Sequence, residues 1–355
     1  MNLFSLHLRS CLVVHFLIFS AQCLLAADPF PTQALPGTGI GGNLSGSYEP
    51  SGAVWHSGIS KLLTVSDGGT VTSMNSDGTG VSNWWIPGDL EGITVADPNS
   101  PFVYVGVEHP DSILEFNIDT GLVTRSFDLT PWLTGSSNRG LEALTFLPDP
   151  LDSEGGQFYA GLQSNGKIYS FQLPILSSST STTVTPLSTI TPVAGRNDIS
   201  GLDYDVENEV LYAIFDNFNA LRAMQPDGTF LSEWELPKDD QEGIAITTDN
   251  LFIAEDSADI EIWRYSPFPF LLAADFDNDN DVDSADIVKW ESDYGLNADS
   301  DANNDGDSAG ADFLFWQRTF GIGTTLTATV VVPEPASWLL WLMGIMFAPS
   351  GAKRG

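Results

Sequence analysis

The chain has 355 residues and a formal net charge of -34, with 13 Lys plus Arg against 47 Asp plus Glu. That balance excludes a nucleic-acid binder, whose affinity rests on Lys and Arg contacts to phosphate, and points to cations and to neutral or basic ligands. A hydrophobic fraction of 42% with 10 Trp and 21 Phe supplies a sizeable core, which excludes a disordered acidic chain.

At the N-terminus, Arg9 precedes an apolar run from Cys11 to Phe19 and a small-residue stretch from Ala21 to Ala27, just before Asp28-Pro29. The pattern is that of a secretory signal peptide over residues 1–27 and predicts export. Both cysteines, Cys11 and Cys23, fall inside it. The remainder is therefore expected to use neither disulfides nor thiol chemistry, and to rely on core burial and metal for stability.

A repeat follows. Asp89-Leu90-Glu91-Gly92-Ile93 recurs as Gly140-Leu141-Glu142-Ala143-Leu144, Asp198-Ile199-Ser200-Gly201-Leu202 and Asp240-Gln241-Glu242-Gly243-Ile244, with a fainter copy at Pro50-Ser51-Gly52-Ala53-Val54. Measured from Gly52 through Gly92, Ala143, Gly201 and Gly243, the starts lie 40, 51, 58 and 42 residues apart. Each start opens an apolar strand, a turn, a β-branched and aromatic strand, and further alternating strands, as in Val210 to Phe215 and Ala220 to Met224. A strand-built period of about 40 residues is that of propeller blades. The reading is all-β: a β-propeller over residues 28–270, five-bladed with six blades as the alternative. The last unit runs out after Ile260 to Tyr265, so Asn43 to Tyr48 is expected to supply its fourth strand and close the ring.

Acidic residues recur at matching places in the units. Glu91, Glu142 and Glu242 precede the inner strands, and Asp67, Glu108, Asp216, Glu255 and Asp256 follow the second strands. Both classes should emerge on one face, near the mouth of the central channel. Oxygen ligands gathered there could hold a cation that polarises an ester or lactone carbonyl. The plainer reading is that Glu-Gly forms a polar turn copied by the repeat.

The repeated runs, with Asn138-Arg139 before Gly140 and Asp203-Tyr204-Asp205 after Leu202, resemble the bacterial SdiA-regulated propeller family over about residues 45–266. The resemblance implies the fold rather than an activity. Pro50 to Trp55 is also similar to the opening of gluconolactonase and regucalcin propellers, but Ser51 stands where their metal-binding glutamate would be. Of the histidines outside the signal segment, His56 and His109 are expected in or beside turns, and no Gly-x-Ser-x-Gly elbow is present. The Ser and Thr run from Ser177 to Thr185 reads as an exposed loop that lengthens the third blade.

Ser266-Pro267-Phe268-Pro269-Phe270 marks a boundary. Beyond it, Asp275, Asp277, Asp279, Asp281 and Asp286 occupy positions 1, 3, 5, 7 and 12 of a calcium loop, and Asp301, Asn303, Asp305, Asp307 and Asp312 repeat the spacing 26 residues later. Gly306 supplies the turn at position 6, where the first loop has Asn280. Each loop leads into a short amphipathic helix stopped by Gly295 or Gly321, and the matched aromatics Trp290 with Trp316 and Tyr294 with Phe320 are expected to pack together. The pair resembles a type I dockerin, with paired EF-hand-like loops over residues 271–323. The resemblance implies about two Ca2+ ions and a cohesin-like partner, although Ser284-Ala285 and Gly310-Ala311 stand at the recognition positions.

After a linker at residues 324–332, Pro333-Glu334-Pro335 precedes an apolar run from Trp338 to Ala348 and a basic end at Lys353-Arg354. A helix of that length covers about 20 Å, short of a span near 30 Å. The segment 333–355 resembles the PEP-CTERM sorting signal, which implies an exosortase partner and transient membrane association. Taken together, the expectation is an exported calcium-binding protein at the cell surface, outer membrane or extracellular matrix of a Gram-negative-type bacterium. Its propeller would bind a partner or an extracellular polysaccharide. The opposing expectation is a metal-dependent hydrolase, an esterase, lactonase or phosphoesterase, with its cation at the channel mouth.

Overall fold

The computed structural model describes residues 27, 29–31, 34–44, 48–136, 138–256, 262–268, 274–277, 279, 281–302 and 306–321. Twenty strands form five four-stranded antiparallel sheets, each running outward from a common axis. A two-residue strand, β1 (Thr38–Gly39), comes first in the chain. The first blade is β2 (Pro50–His56), β3 (Lys61–Ser66), β4 (Thr70–Met74) and β5 (Ser82–Trp85). The second is β6 (Asp89–Thr94), β7 (Phe102–Glu108), β8 (Ser112–Asn117) and β9 (Leu122–Asp128). The third is β10 (Leu141–Pro148), β11 (Gly156–Leu162), β12 (Lys167–Gln172) and β13 (Thr185–Ile190). The fourth is β14 (Ile199–Asp205), β15 (Val210–Phe215), β16 (Ala220–Met224) and β17 (Phe230–Glu235). The fifth is β18 (Gln241–Ile246), β19 (Leu251–Glu255) and β20 (Ile262–Tyr265), completed by β1.

The closing strand differs from expectation. Thr38 pairs with Arg264 and Gly39 with Trp263, so the N-terminal contribution comes from β1 and not from Asn43 to Tyr48. Gly41–Asn43 instead forms a short 3-10 turn. Two paired residues suffice because Ile40 continues the contact, its amide donating to Ile262 O at 2.8 Å.

The second strands are apolar on both faces because each sheet is packed between two neighbours, and in β15 all six residues are buried. Apolar side chains accordingly gather at every blade interface. Tyr104, Phe127, Phe146 and Phe158 lie between the second and third blades, and Tyr212, Trp234, Ile253 and Tyr265 between the fourth and fifth. Phe252 and Ile262 pack against Leu62 and Met74 where the ring closes. Phe268, in the segment read as a boundary, packs on Phe30 and Trp234. The Ser and Thr run is exposed over most of its length, as expected. It is held at its base by the Arg125 Nη1, which donates to Pro174 O, Ser178 O and Ser181 O.

The inner strands carry the repeat signature, and each is interrupted at the same place. Register shifts fall between Pro50 and Gly52, Leu90 and Gly92, Leu141 and Ala143, Ile199 and Gly201, and Gln241 and Ile244. Glu91, Glu142 and Glu242 therefore stand on bulges within the inner strands rather than in turns before them, and Ser51 and Ser200 hold the matching positions. A bulge re-aims the side chain it carries, here toward the axis end.

Two helices follow, α1 (Ser284–Asp293) and α2 (Gly310–Thr319). The expected direct pairing of aromatics is replaced by an interleaved row. Phe313 lies between Trp290, at 5.1 Å, and Trp316, at 5.7 Å, while Tyr294 meets Trp290 at a tilt of 60° and Phe320 meets Trp316 edge-on at 70°. Among the described residues no helix is long and apolar enough to cross a membrane. The expected signal peptide and the sorting segment with Pro333, Glu334 and Pro335 lie outside the described residues.

Candidate functional site: the acidic mouth of the channel

Reading down each inner strand gives three successive levels of the channel. The bulge residues Glu91, Glu142 and Glu242 line a mouth cavity of about 160 Å3, joined by Ser51, Asp67, Asp89, Glu108, Asn138, Gln163 and Asp256. One residue further on, Gly52, Gly92, Ala143, Gly201 and Gly243 form a neck with about 10 Å3 of free space. Beyond it, Val54, Thr94, Thr145, Asp203 and Ile246 line a funnel at the other end.

The neck explains why four of the five starts carry glycine. A Cβ on Gly201 would sit 2.6 Å from Glu242 O, one on Gly92 2.7 Å from the Leu144 amide, and one on Gly243 2.8 Å from the Ala53 amide. Glycine here lets neighbouring inner strands touch backbone to backbone, which closes the ring tightly enough to bring the bulge carboxylates together.

Among the described residues, seven carboxylates share the mouth and no Lys or Arg is in its lining. The electrostatic cost falls on the ionised forms of these groups. Burial, followed by the charges of Glu142 and Asp67, pushes Glu91 up to about 11. Burial, followed by Glu108 and Glu242, raises Glu142 to about 9. Glu242 is pushed well above the ordinary carboxylate range by burial and by Asp216. Asp89, Glu108 and Asp256 are raised as well, burial being the largest cause in each. Carboxylates in this state must hold protons or share a cation.

Asp67, Asp89 and Glu91 bring one oxygen each to within 4.8 Å of one another, a spacing that suits a bound cation. Ser51 Oγ donates to Asp67 Oδ1, fixing that carboxylate. Of the acidic residues singled out in the sequence, Glu91, Glu142, Glu242, Glu108 and Asp256 do meet at the mouth. Asp216 does not line it. Its Oδ1 accepts the Gln241 amide at 3.0 Å and ties the fourth blade to the fifth, while burial and Asp198 raise it to about 6. Glu108 combines both roles, its Oε1 accepting the Gly140 amide of the third blade at 2.5 Å.

Asp89 is the mouth carboxylate that the repeat did not single out, and Gln163 is a further lining residue without a signal in the repeat. The signal for Asp89 was its place two residues before Glu91, matched by Asp198 and Asp240 before Ser200 and Glu242. The histidines play other parts. His56 lies within β2, buried, with neither ring nitrogen partnered, and burial lowers its pKa. His109 is exposed, and neither is among the mouth lining.

In the second acidic region, Asp286 and Asp312 are fully buried at equivalent places. Asp286 accepts the amides of Phe276, Asp277 and Asp283, and Asp312 those of Ala302 and Ala309. Asp275, Asp277 and Asp286 offer oxygens within 4.8 Å of one another. Asp279 and Asp281 belong to the same loop, Asp279 Oδ1 accepting the Asp281 amide at 3.2 Å. In the second loop Gly306 has φ +97° and donates to Asp301 Oδ2 at 2.8 Å, while Asn303 and Asp305 lie outside the described residues.

Two family models each match part of the propeller. Residues 52–182 match the phytase-like family, described as esterase-like activity of phytase, and residues 176–266 match the SdiA-regulated family. No curated protein matches the chain. Among solved structures, the glutaminyl cyclase of Myxococcus xanthus is similar at 12% identity and a TM-score of 0.45, over 62% of this chain and 90% of that one. The β-propeller domain of Cps50 (Swd1) from Myceliophteria thermophila is similar at 10% identity and a TM-score of 0.36, over 59% of this chain and 63% of that one.

Proposed function

We propose that the propeller is a metal-dependent hydrolase of esters or phosphoesters, built on a divalent cation held by Asp67, Asp89 and Glu91, with calcium as the leading candidate. The observation that carries the reading is the convergence of seven carboxylates on one small cavity without a lysine or arginine in its lining. A hard cation is the partner such an oxygen-only set selects. When bound, it would polarise a carbonyl or phosphoryl oxygen. Glu142 and Glu242, outside the triad that would hold the cation, would then be placed to take a proton from an attacking water. The phytase-like match adds support, since it spans Asp67, Asp89, Glu91, Glu108 and Glu142. The mouth is small, so a phosphate- or carboxylate-sized group is what it can admit.

The rest of the chain supplies the setting. We read residues 271–323 as a dockerin-like module folding around two calcium ions, supported by the matched environments of Asp286 and Asp312, with a cohesin-like module as its partner. The sequence features at residues 1–27 and 333–355 support export, exosortase processing and display at the cell surface or in the matrix, near extracellular polysaccharide.

The test is calcium calorimetry on the full chain and on Glu91→Gln, together with turnover of p-nitrophenyl phosphate and p-nitrophenyl acetate in calcium or in EDTA. The expected result is a calcium site lost in Glu91→Gln and turnover that needs both. A surface binding protein without turnover is the second reading, favoured by the absence of a histidine from the mouth lining. Calcium binding at the mouth with no turnover of either ester would select it, and no calcium binding there would sink both.

A further inference from the structure

The funnel beyond the neck is a second, separate chamber, and its chemistry is unlike that of the mouth. Its volume is about 540 Å3, against about 160 Å3 for the mouth, and the neck between them admits no more than a water-sized group. The mouth is walled almost wholly by carboxylate and amide groups. The funnel is walled mainly by apolar side chains from the ends of the inner strands and the turns that follow them.

Equivalent positions explain the contrast. Four residues after Ser51, Glu91, Glu142, Ser200 and Glu242 stand Trp55, Val95, Phe146, Tyr204 and Ile246, so one ring of the funnel carries three aromatic side chains. One face of Trp55 is supported by Phe252, stacked at 5.9 Å with an interplanar angle of 2°. Charge enters from one side, where the end of β14 and the turn after it bring Asp203, Asp205 and Glu207 to the lining. The other polar groups are the hydroxyls of Ser57, Thr94, Thr145, Thr247 and Thr248 and the phenol of Tyr204. Among the described residues no Lys, Arg or His is in the lining.

The three carboxylates are not equivalent. Asp203 is buried and its Oδ2 accepts the Ile246 amide at 2.7 Å, so it serves as a latch between blades. Asp205 Oδ1 accepts the amides of Glu207 and Asn208 and orders the rim turn. Glu207 is exposed, with only a 3.3 Å bond from Thr248 Oγ1. Its remaining acceptor capacity faces solvent at the rim of an aromatic chamber.

We propose that the funnel binds a small organic ammonium compound with an apolar body, the body against Trp55, Phe146 and Tyr204 and the cationic head at Asp205 and Glu207. Carboxylates beside aromatic faces favour a cation by charge and by the ring quadrupole together. A cavity of this size buries most of a small ligand. An anionic ligand meets only acceptors and negative charge. The proposal does not rest on cation binding or hydrolysis at the mouth.

The experiment uses the full chain in saturating calcium, titrated by calorimetry with phenethylamine and with benzyltrimethylammonium. The same titration is run with 2-phenylethanol and 3-phenylpropionate, which keep the ring and remove or reverse the charge. Both cations are expected to bind about tenfold or more tightly than the alcohol, with no measurable binding of the acid. Glu207→Gln should weaken the cations about three- to fivefold. Glu207→Lys should abolish their binding, and Glu91→Gln at the mouth should leave it unchanged. Three results would overturn the proposal: no saturable binding of either cation, equal binding of the acid, or loss of binding in Glu91→Gln with retention in Glu207→Lys. The Glu207 position is exposed and outside the strands, so these variants keep the fold on which the test depends.

Discussion

Asp67, in the turn after β3, and Glu91, on the bulge of β6, bring carboxylate oxygens within 4.8 Å of each other although they belong to neighbouring blades. A cation held between them therefore ties the first blade to the second. Asp67→Asn removes one charged ligand while keeping an oxygen acceptor for Ser51. It should weaken calcium binding at the mouth about tenfold or more. It should also reduce the calcium-induced rise in melting temperature, a binding linkage worth about 2.7 kcal/mol at a hundredfold excess over Kd. Calorimetry and scanning fluorimetry in parallel check both, and an unchanged Kd would remove Asp67 from the ligand set.

The pH dependence of stability follows from the same carboxyls. Glu91 and Glu142 have folded-state values of about 11 and about 9, above those of an unfolded chain. The folded protein then binds more protons than the unfolded one, so unfolding stability falls as pH rises from the ordinary carboxylate range through those values. Asp203, raised to about 8 by burial, adds to the fall. In EDTA the melting temperature should drop steadily between about pH 5 and pH 9. Saturating calcium should flatten much of that slope, because a bound cation favours the ionised forms. A metal-free profile that rises with pH would contradict the shared burial of these groups.

How much of this was legible depends on what each level of the channel demands. The neck imposes one chemical requirement, little or no side chain between touching backbones, and so Gly52, Gly92, Gly201 and Gly243 recur in four blades, with the small Ala143 in the third, where the repeat could be seen. The bulge carboxylates were visible beside those glycines, but their place inside a strand was not, because a bulge is a property of pairing. Asp89 was passed over because its counterpart in the third blade is Gly140, which leaves the position no common chemistry. The funnel ring was invisible for the same reason: Trp55, Val95, Phe146, Tyr204 and Ile246 share a position and no residue type. The closing strand was misplaced because two residues, Thr38 and Gly39, carry too little pattern to be read.

Gly201→Ala tests the neck. Its Cβ would lie 2.6 Å from Glu242 O and 3.2 Å from an Ile244 methyl, on the backbone of the next inner strand, which cannot move without opening the ring. The expected cost is about 1–3 kcal/mol, the range of overpacking in a tight core. Because the contact falls on Glu242, which is placed to take a proton from the attacking water, ester turnover at the mouth should fall as well. Denaturant unfolding with turnover assays separates the two effects, and a fully stable variant with unchanged turnover would refute the tight neck.

Arg125 and Glu115 form a pair with side chains only 5% and 6% exposed. Burial favours the neutral acid, yet the bonds from Arg125 and Thr124 prevail and hold the Glu115 carboxyl below its ordinary value. Arg125→Met should cost about 3–5 kcal/mol, since it strands a buried carboxylate. Arg125→Met with Glu115→Gln should recover part of that. The loop at residues 177–184, which loses the Arg125 bonds to Ser178 and Ser181, should become a protease site in both variants. Retained protease resistance in the double variant would show that the loop does not depend on Arg125.

Trp290 Nε1 donates to Ala309 O at 3.0 Å and Trp316 Nε1 to Asp283 O at 2.8 Å, so each helix reaches the ninth residue of the opposite acidic loop. The exchange places the two loops in one folding unit: ordering either by a cation fixes the acceptor that holds the other. Trp316→Phe keeps the aromatic row with Phe313 and Phe320 and removes only the donor, a change of about 1 kcal/mol for a neutral hydrogen bond. If the loops are coupled, this substitution within the second helix should weaken calcium binding to the first loop, whose Asp283 carbonyl loses its partner. Calcium titration of the full chain, with Glu91→Gln to silence the mouth, reads that shift directly. Weakening confined to the second loop would mean that the two loops bind independently.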